Sequence, residues 1–337
     1  MSKLRMNQAI AQAIADEMRA DDDVVVFGED IAAAGSPFKT TAGLLDEFGP
    51  SRVRDTPISE MGFLGAAVGA AATGLRPVVE IMFVEFLGVA LDQLVTEGAK
   101  FHYLSGGEYE VPIVVRASVG AGLGFGSQHS QTLEHWLLAT PGLKVAAASG
   151  ARSAYGLTRA AIRDPDPVVL LEPRSLYGSR EEFTPDQSVV PSLGVAEKVT
   201  DGEDVTVVAL GQMVGVARQA AEAAEWSAEV LDLRTLVPWD RERVLASVAR
   251  TGRLVLVEES PRHGGWGAEI AAHVAQEAFT KLTAPVLRVT APDTPVPFNP
   301  QLEARWIPSP EYLAAQVDEL LATGRAPRPW WEQEVGA

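Results

Sequence analysis

Short apolar runs rich in Val, Ile and Leu recur along the chain, separated by intervals long enough for a helix. In the first half they stand at Val24 to Phe27, Val78 to Phe83, Ile113 to Arg116, Lys144 to Ala147 and Val168 to Leu171. Continuous apolar strands need cover on both faces, so the alternation predicts a parallel sheet wrapped by crossover helices. Ile10, Ile14 and Met18 recur at four-residue spacing, which puts them on one face of an opening helix before the acidic turn Asp21-Asp22-Asp23. Between Pro173 and Pro191 the chain turns charged and turn-forming, as in Tyr177 to Glu182. A second alternation follows, with strands at Val205 to Leu210, Val230 to Leu233, Leu254 to Val257 and Val286 to Val289. Its helices are expected at Val214 to Trp226, Gly267 to Phe279 and Pro310 to Ala322. The expected architecture is α/β, with two stacked α/β domains at 1–175 and 201–330 joined by a linker over 176–200.

With 337 residues and 47% hydrophobic content, the chain can bury the cores of two domains. A net charge of -17 argues against nucleic-acid and anionic-membrane partners, which require clustered Lys and Arg. The absence of cysteine excludes a disulfide framework, a zinc-thiolate site and a thiol nucleophile, and suits a reducing cytoplasm. No apolar signal segment follows Met1, so export is not expected and a cytoplasmic location is. The stretch from Met61 to Leu75 is Gly- and Ala-rich and shorter than the roughly 20 apolar residues of a membrane span. The five histidines show no metal-protease spacing, and no Gly-x-Ser-x-Gly elbow occurs, which disfavours zinc enzymes and serine hydrolases. In the tail, Arg325 to Ala337, the pair Trp330-Trp331 is expected to dock either on a neighbour or on the chain's own surface.

Two segments hold candidate chemistry. In Asp55-Thr56-Pro57-Ile58-Ser59-Glu60-Met61-Gly62-Phe63, a short strand meets a Pro turn and delivers a carboxylate to the start of a small-residue helix. The helix amino end stabilises the ionised form of Glu60 while Ile58, Met61 and Phe63 disfavour it, a balance suited to proton exchange. The plainer reading is a capping box using Ser59 or Thr56. The helix from Gly62 to Gly74 lacks bulk on any face, which points to close helix-helix contact. The second segment, Val119 to Gln131, carries alternating Gly120, Gly122 and Gly124. It fails the dinucleotide fingerprint, because Phe125 stands where the third glycine belongs. His129 sits at its tip beyond a strand end, where α/β sheets bind ligands; a structural histidine is the alternative.

Asp55 to Phe63 and Ser127 to Gln131, taken with Val79 to Phe86, Pro141 to Val145 and Ala161 to Asp164, resemble, in order and spacing, the beta subunit of thiamine-diphosphate-dependent 2-oxoacid dehydrogenases. That family includes the pyruvate, branched-chain 2-oxoacid and acetoin enzymes. The resemblance covers nearly the whole chain and implies a pyrimidine-type thiamine-diphosphate-binding fold followed by a transketolase C-terminal-like domain. It implies that Glu60 bonds the cofactor's aminopyrimidine ring, where a shared proton promotes the tautomer that activates the thiazolium. By the same resemblance Ile58 and Phe86 line the pyrimidine pocket, Glu29 is a further carboxylate near it, and His129 faces the reacting centre.

The family also implies a potassium ion held at Ile113, Ala161, Ile162, Asp164 and Asp166, although Pro165-Asp166 replaces a more usual Asn-containing turn and a solvated loop is the other reading. Mg²⁺ and the diphosphate are held in such enzymes by a Gly-Asp-Gly segment, which this chain lacks. The resemblance therefore implies an alpha subunit that supplies both, an α2β2 heterotetramer, and a lipoyl-bearing acyltransferase core as acceptor. The acceptor-side half of a split transketolase and a silent scaffolding subunit are the competing readings, and substrate choice among pyruvate, branched-chain 2-oxoacids and acetoin stays open.

Overall fold

A computed structural model describes residues 2–186 and 188–333. The chain divides into two compact units: 1–120 with 131–194 and 235–238, and 121–130 with 195–234 and 239–337.

The first unit is built on a seven-stranded sheet. Its strands are β2 (Val24–Gly28), β3 (Val53–Asp55), β4 (Arg76–Ile81), β5 (Val114–Val119), β6 (Lys144–Ala147), β7 (Val168–Pro173) and β12 (Thr235–Val237), in the spatial order β12-β6-β7-β5-β4-β2-β3. All neighbours are parallel except the edge strand β12, which runs antiparallel to β6. The central strands β5 and β7 are buried along their full lengths, as continuous apolar runs require. The helix Met6–Ala20 buries Ile10, Ile14 and Met18 completely, in the same core cluster as Ala151, Ala154 and Tyr155 of the helix Ala151–Arg163. Paired polar groups also join these helices: Tyr155 donates to Asp16 at 2.8 Å, and the buried Arg159 meets Glu17 at 2.7 Å.

The second unit holds β9 (Glu197–Lys198), β10 (Val205–Ala209), β11 (Ala228–Asp232), β13 (Leu254–Pro261) and β14 (Leu287–Ala291), in the order β14-β13-β10-β11-β9. Only β9 is antiparallel. The helices Met213–Ala223, Gly267–Glu277 and Pro310–Thr323 stand where the periodicity placed them. In the tail, the Arg305 guanidinium lies 4.1 Å from the Trp330 ring centre and Arg262 pairs with Glu332 at 3.2 Å. The tail thus packs on its own unit; residues 334–337 lie outside the described residues.

The expected linker over 176–200 takes a different form. Residues 176–194 belong to the first unit, where β8 (Arg180–Phe183) pairs antiparallel with β1 (Ser2–Arg5). A two-stranded pair outside the main sheets leaves most side chains in water, so a strand can carry Arg180, Glu181 and Glu182. Gln187, within that expected linker, lies outside the described residues.

Candidate active site

Because β2, β3 and β4 are parallel, their carboxyl ends open on one edge of the sheet, the edge where such sheets bind ligands. β2 ends at Gly28 and presents Glu29. β3 ends at Asp55, and the Thr56 to Ser59 turn leads into the helix Glu60–Ala72. β4 ends at Ile81 and runs on through Phe83 into the single turn Val84–Phe86. Three separate strands thus deliver Glu29, Glu60 with Ile58, and Phe86 to that edge.

Glu60 is the first residue of its helix, and no side chain caps that end: the Ser59 hydroxyl donates instead to the Pro57 carbonyl at 3.1 Å. The capping-box reading therefore does not describe this turn. Glu29 is half-buried, and its Oε1 is buried without a hydrogen-bond partner. Burial first, then the Glu60 carboxylate, raise the Glu29 carboxyl above its ordinary value of 4.5, against an opposing backbone N–H from Ser59. The Glu60 charge adds to the cost of ionising Glu29, so Glu29 retains its proton more readily than an isolated carboxylate. Ile58 and Met61 stand 86% and 57% exposed beside them, apolar side chains with no cover in this chain. Phe86 meets Phe83 edge-on at 5.6 Å.

A raised native-state value has a definite stability consequence. The native state binds the Glu29 proton more tightly than the unfolded chain does. Its contribution is therefore full below the unfolded value near 4.5 and is lost as pH rises through the folded value. Glu29→Gln, which cannot ionise, is expected to melt above the wild type at about pH 7 and no higher at about pH 4. A variant melting at or below the wild type near pH 7 would show that this environment favours the anion.

A buried ionic network supports the loop behind Glu29. Arg116 on β5, wholly buried, forks onto both oxygens of Glu172 on β7 at 2.7 and 2.8 Å and reaches Glu80 on β4 at 2.9 Å. Glu80 also accepts from the hydroxyls of Ser36 at 2.6 Å and Thr40 at 2.7 Å, and Tyr177 donates to Glu172 at 2.8 Å. Asp55 accepts the Ala32 backbone N–H at 2.7 Å. The sheet therefore pins residues 32–40 at three points, two through Glu80 on β4 and one through Asp55 on the edge strand β3.

His129 lies in the segment 121–130, which clusters with the second unit. It is half-buried, and its backbone N–H reaches the Gly126 carbonyl at 3.4 Å. Gly122, Gly124 and Gly126 have φ of +100°, +72° and +70°, a region that only glycine enters at little cost, so the alternating glycines set the loop's path.

Two family models cover most of the chain: the transketolase pyrimidine binding domain matches residues 2–180 and the transketolase C-terminal domain matches 194–313. A curated relative, the beta subunit of acetoin:2,6-dichlorophenolindophenol oxidoreductase from Bacillus subtilis, is 42% identical over 94% of this chain and 97% of its own. The mitochondrial pyruvate dehydrogenase E1 component subunit beta-2 of Oryza sativa is 44% identical over 96% of this chain and 86% of its own. The chain belongs to the 2-oxoacid and acetoin dehydrogenase beta-subunit family. Among solved structures, a split-gene transketolase described as an inactive beta4 tetramer matches this beta subunit with a TM-score of 0.79 at 25% identity, over 96% of this chain and all of that one. Transketolase from Leishmania mexicana shares the fold at a TM-score of 0.69 and 19% identity, over 99% of this chain and 48% of its own.

Membership implies an alpha-subunit partner for this beta subunit. No helix among its described residues is long and apolar enough to cross a membrane. At the turn suggested for potassium, Lys144 already meets Asp164 at 2.7 Å and Asp166 at 3.0 Å. The carbonyls of Ile113, Ala161 and Ile162 accept from Val168 N–H, Asp164 N–H and the Arg76 side chain. Each carbonyl keeps a second lone pair, so an ion there would rest on backbone oxygens beside an ammonium. Sequence reading missed the Arg116 network and Glu85, which accepts the Gln131 N–H at 2.8 Å. No local pattern marks them, since their partners lie 36 to 56 residues away in sequence.

Proposed function

We propose that this beta subunit, joined to an alpha subunit in an α2β2 heterotetramer, carries out thiamine-diphosphate-dependent oxidative decarboxylation of a 2-oxoacid, pyruvate or a branched-chain one, and passes the acyl group to a lipoyl-bearing acyltransferase core. The observation that carries the reading is the Glu29–Glu60 carboxylate pair on the ligand edge of the sheet, with a buried Glu29 oxygen lacking a partner. Such a pair fits the aminopyrimidine end of the cofactor, whose ring nitrogen and amino group need a proton-sharing carboxyl and an acceptor. When bound, the cofactor supplies the electron sink for the cleaved carbon bond.

The chain's own residues have separable tasks in this reading. Glu60 holds a proton toward the ring nitrogen. Glu29 supplies a second carboxyl on the same edge, with a buried oxygen available to accept from the ring's amino group. Ile58 and Phe86 give apolar walls that exclude water from the ring. His129 acts as proton donor or orienting group at the reacting carbon. The diphosphate and its Mg²⁺ are assigned to the alpha subunit, because no Gly-Asp-Gly occurs among the 337 residues.

Acetoin is the second reading, favoured by the B. subtilis relative and by a Cupriavidus necator protein of the same description, 43% identical over 96% of this chain. A split transketolase is the third. The test is to co-express the chain with its alpha subunit and assay pyruvate, 2-oxoisovalerate and acetoin with thiamine diphosphate, Mg²⁺ and an artificial electron acceptor, then lipoamide. Turnover with a 2-oxoacid and lipoamide is expected. Ketol transfer to an aldose without lipoamide would replace the reading, and cofactor binding without turnover of any substrate would sink it. Running the series in KCl and in matched NaCl tests a potassium ion at the Asp164 turn; equal rates and equal melting points leave that turn to Lys144.

A further inference from the structure

The glycine loop that bears His129 is held by carboxylates far along the chain. Glu303, 3% exposed in the helix Pro300–Trp306, accepts the Gly122 N–H at 2.8 Å with one oxygen and the Gly124 N–H at 3.0 Å with the other. Glu259 at the end of β13, 7% exposed, accepts the Ala121 N–H at 2.6 Å. The loop N–H groups are thus the hydrogen-bond donors to this buried carboxyl. A buried carboxylate is expensive unless its oxygens are satisfied. Leaving it there makes sense only if these amides are held in one arrangement. The loop is fixed beyond that point as well: a Cβ on Gly126 would come within 3.2 Å of the Phe298 ring, and Ala121 packs with Ala291, Val296 and Trp306.

We infer that Glu303 is a positioning residue for His129. It clamps the backbone at Gly122 and Gly124, and through the short path Gly126 to His129 it sets where the imidazole stands. The inference rests on the proposed role of His129 in the reaction and adds the element that aims it. Backbone donors on a loop usually bind a ligand's anion; here the chain supplies the anion itself, which converts a mobile glycine loop into a rigid arm.

Glu303→Gln tests this in the reconstituted enzyme. The amide keeps one acceptor but turns its NH2 toward the second loop N–H. Hydrogen exchange at residues 121–126 is expected to quicken by about tenfold or more, while exchange over β10 and β11 stays unchanged. Turnover is expected to fall about 10- to 100-fold, the scale of a misplaced group, with KM nearly constant. In a His129→Ala background the same substitution is expected to change turnover less than about threefold, since a residue acting through His129 has nothing left to aim. Glu303→Asp, which keeps the charge, should restore part of the rate and serves if the glutamine variant does not fold. Unchanged exchange overturns the clamp, and losses that multiply in the double variant overturn action through His129. A His129→Ala enzyme at the wild-type rate overturns the underlying role of His129 instead, with the exchange result still readable by itself.

Discussion

Replacing Glu60 by Gln is expected to lower the turnover of the reconstituted enzyme by about 10²- to 10⁴-fold, the usual contribution of a positioned proton-transfer group. The substitution keeps shape and hydrogen-bonding capacity but cannot gain or lose a proton. Glu60 stands at the amino end of its helix and is only part-buried, so its removal costs that helix about 0.3–1 kcal/mol of dipole interaction and should leave assembly intact. The two effects separate cleanly: rate should collapse while subunit association and melting point hold. Glu29 should also lose its chief charged neighbour, and its carboxyl should move back toward the ordinary value. A Glu60→Gln enzyme that assembles and turns over at the wild-type rate would revive the scaffolding reading and remove the carboxylate pair from the reaction.

Arg116→Met is expected to damage the fold severely. The guanidinium stands between Glu80 and Glu172, wholly buried. Deleting one member of a buried ionic group costs about 3–5 kcal/mol, because the partners remain without compensation. For a unit of this size that is roughly 6–20 °C in melting temperature. Burial already pushes the Glu172 carboxyl up while Arg116 opposes that push, so without Arg116 the proton should be held still more tightly. The deficit is then greatest near neutral pH and shrinks in acid, where the Glu172 carboxyl is protonated. Melting curves of wild type and variant from about pH 4 to pH 8 would check this; a deficit independent of pH would point to lost packing rather than unpaired charge. Arg116→Lys should recover only part, because an ammonium cannot fork onto both oxygens of Glu172. Since Glu80 also grips Ser36 and Thr40, the loop following Glu29 should loosen with the network.

Much of this was legible from residue order. The β-branched runs located the main strands within a few residues, because burial on both faces demands continuous apolar side chains. Ile10, Ile14 and Met18 marked the buried face of the first helix for the same reason. Glu60 was recognisable because a Pro turn after a strand fixes where the next helix begins. The charged segment after Pro173 misled, since charge reads as linker when it also suits a strand whose side chains face water.

By itself, the sequence determined the α/β architecture, the residues that can carry charge or protons, and the absence of a Gly-Asp-Gly segment in this chain. Local periodicity and composition suffice for these, because each depends on neighbours a few positions apart. Only the tertiary structure decided that Glu29 stands within the electrostatic reach of Glu60, that Arg116 joins three strands, that β12 returns to the first sheet, and that the His129 loop belongs to the second unit. Those outcomes depend on strand order and on partners as distant as the 181 residues separating Gly122 from Glu303. No side chain announces its partner at that range; the packing of whole sheets brings them together.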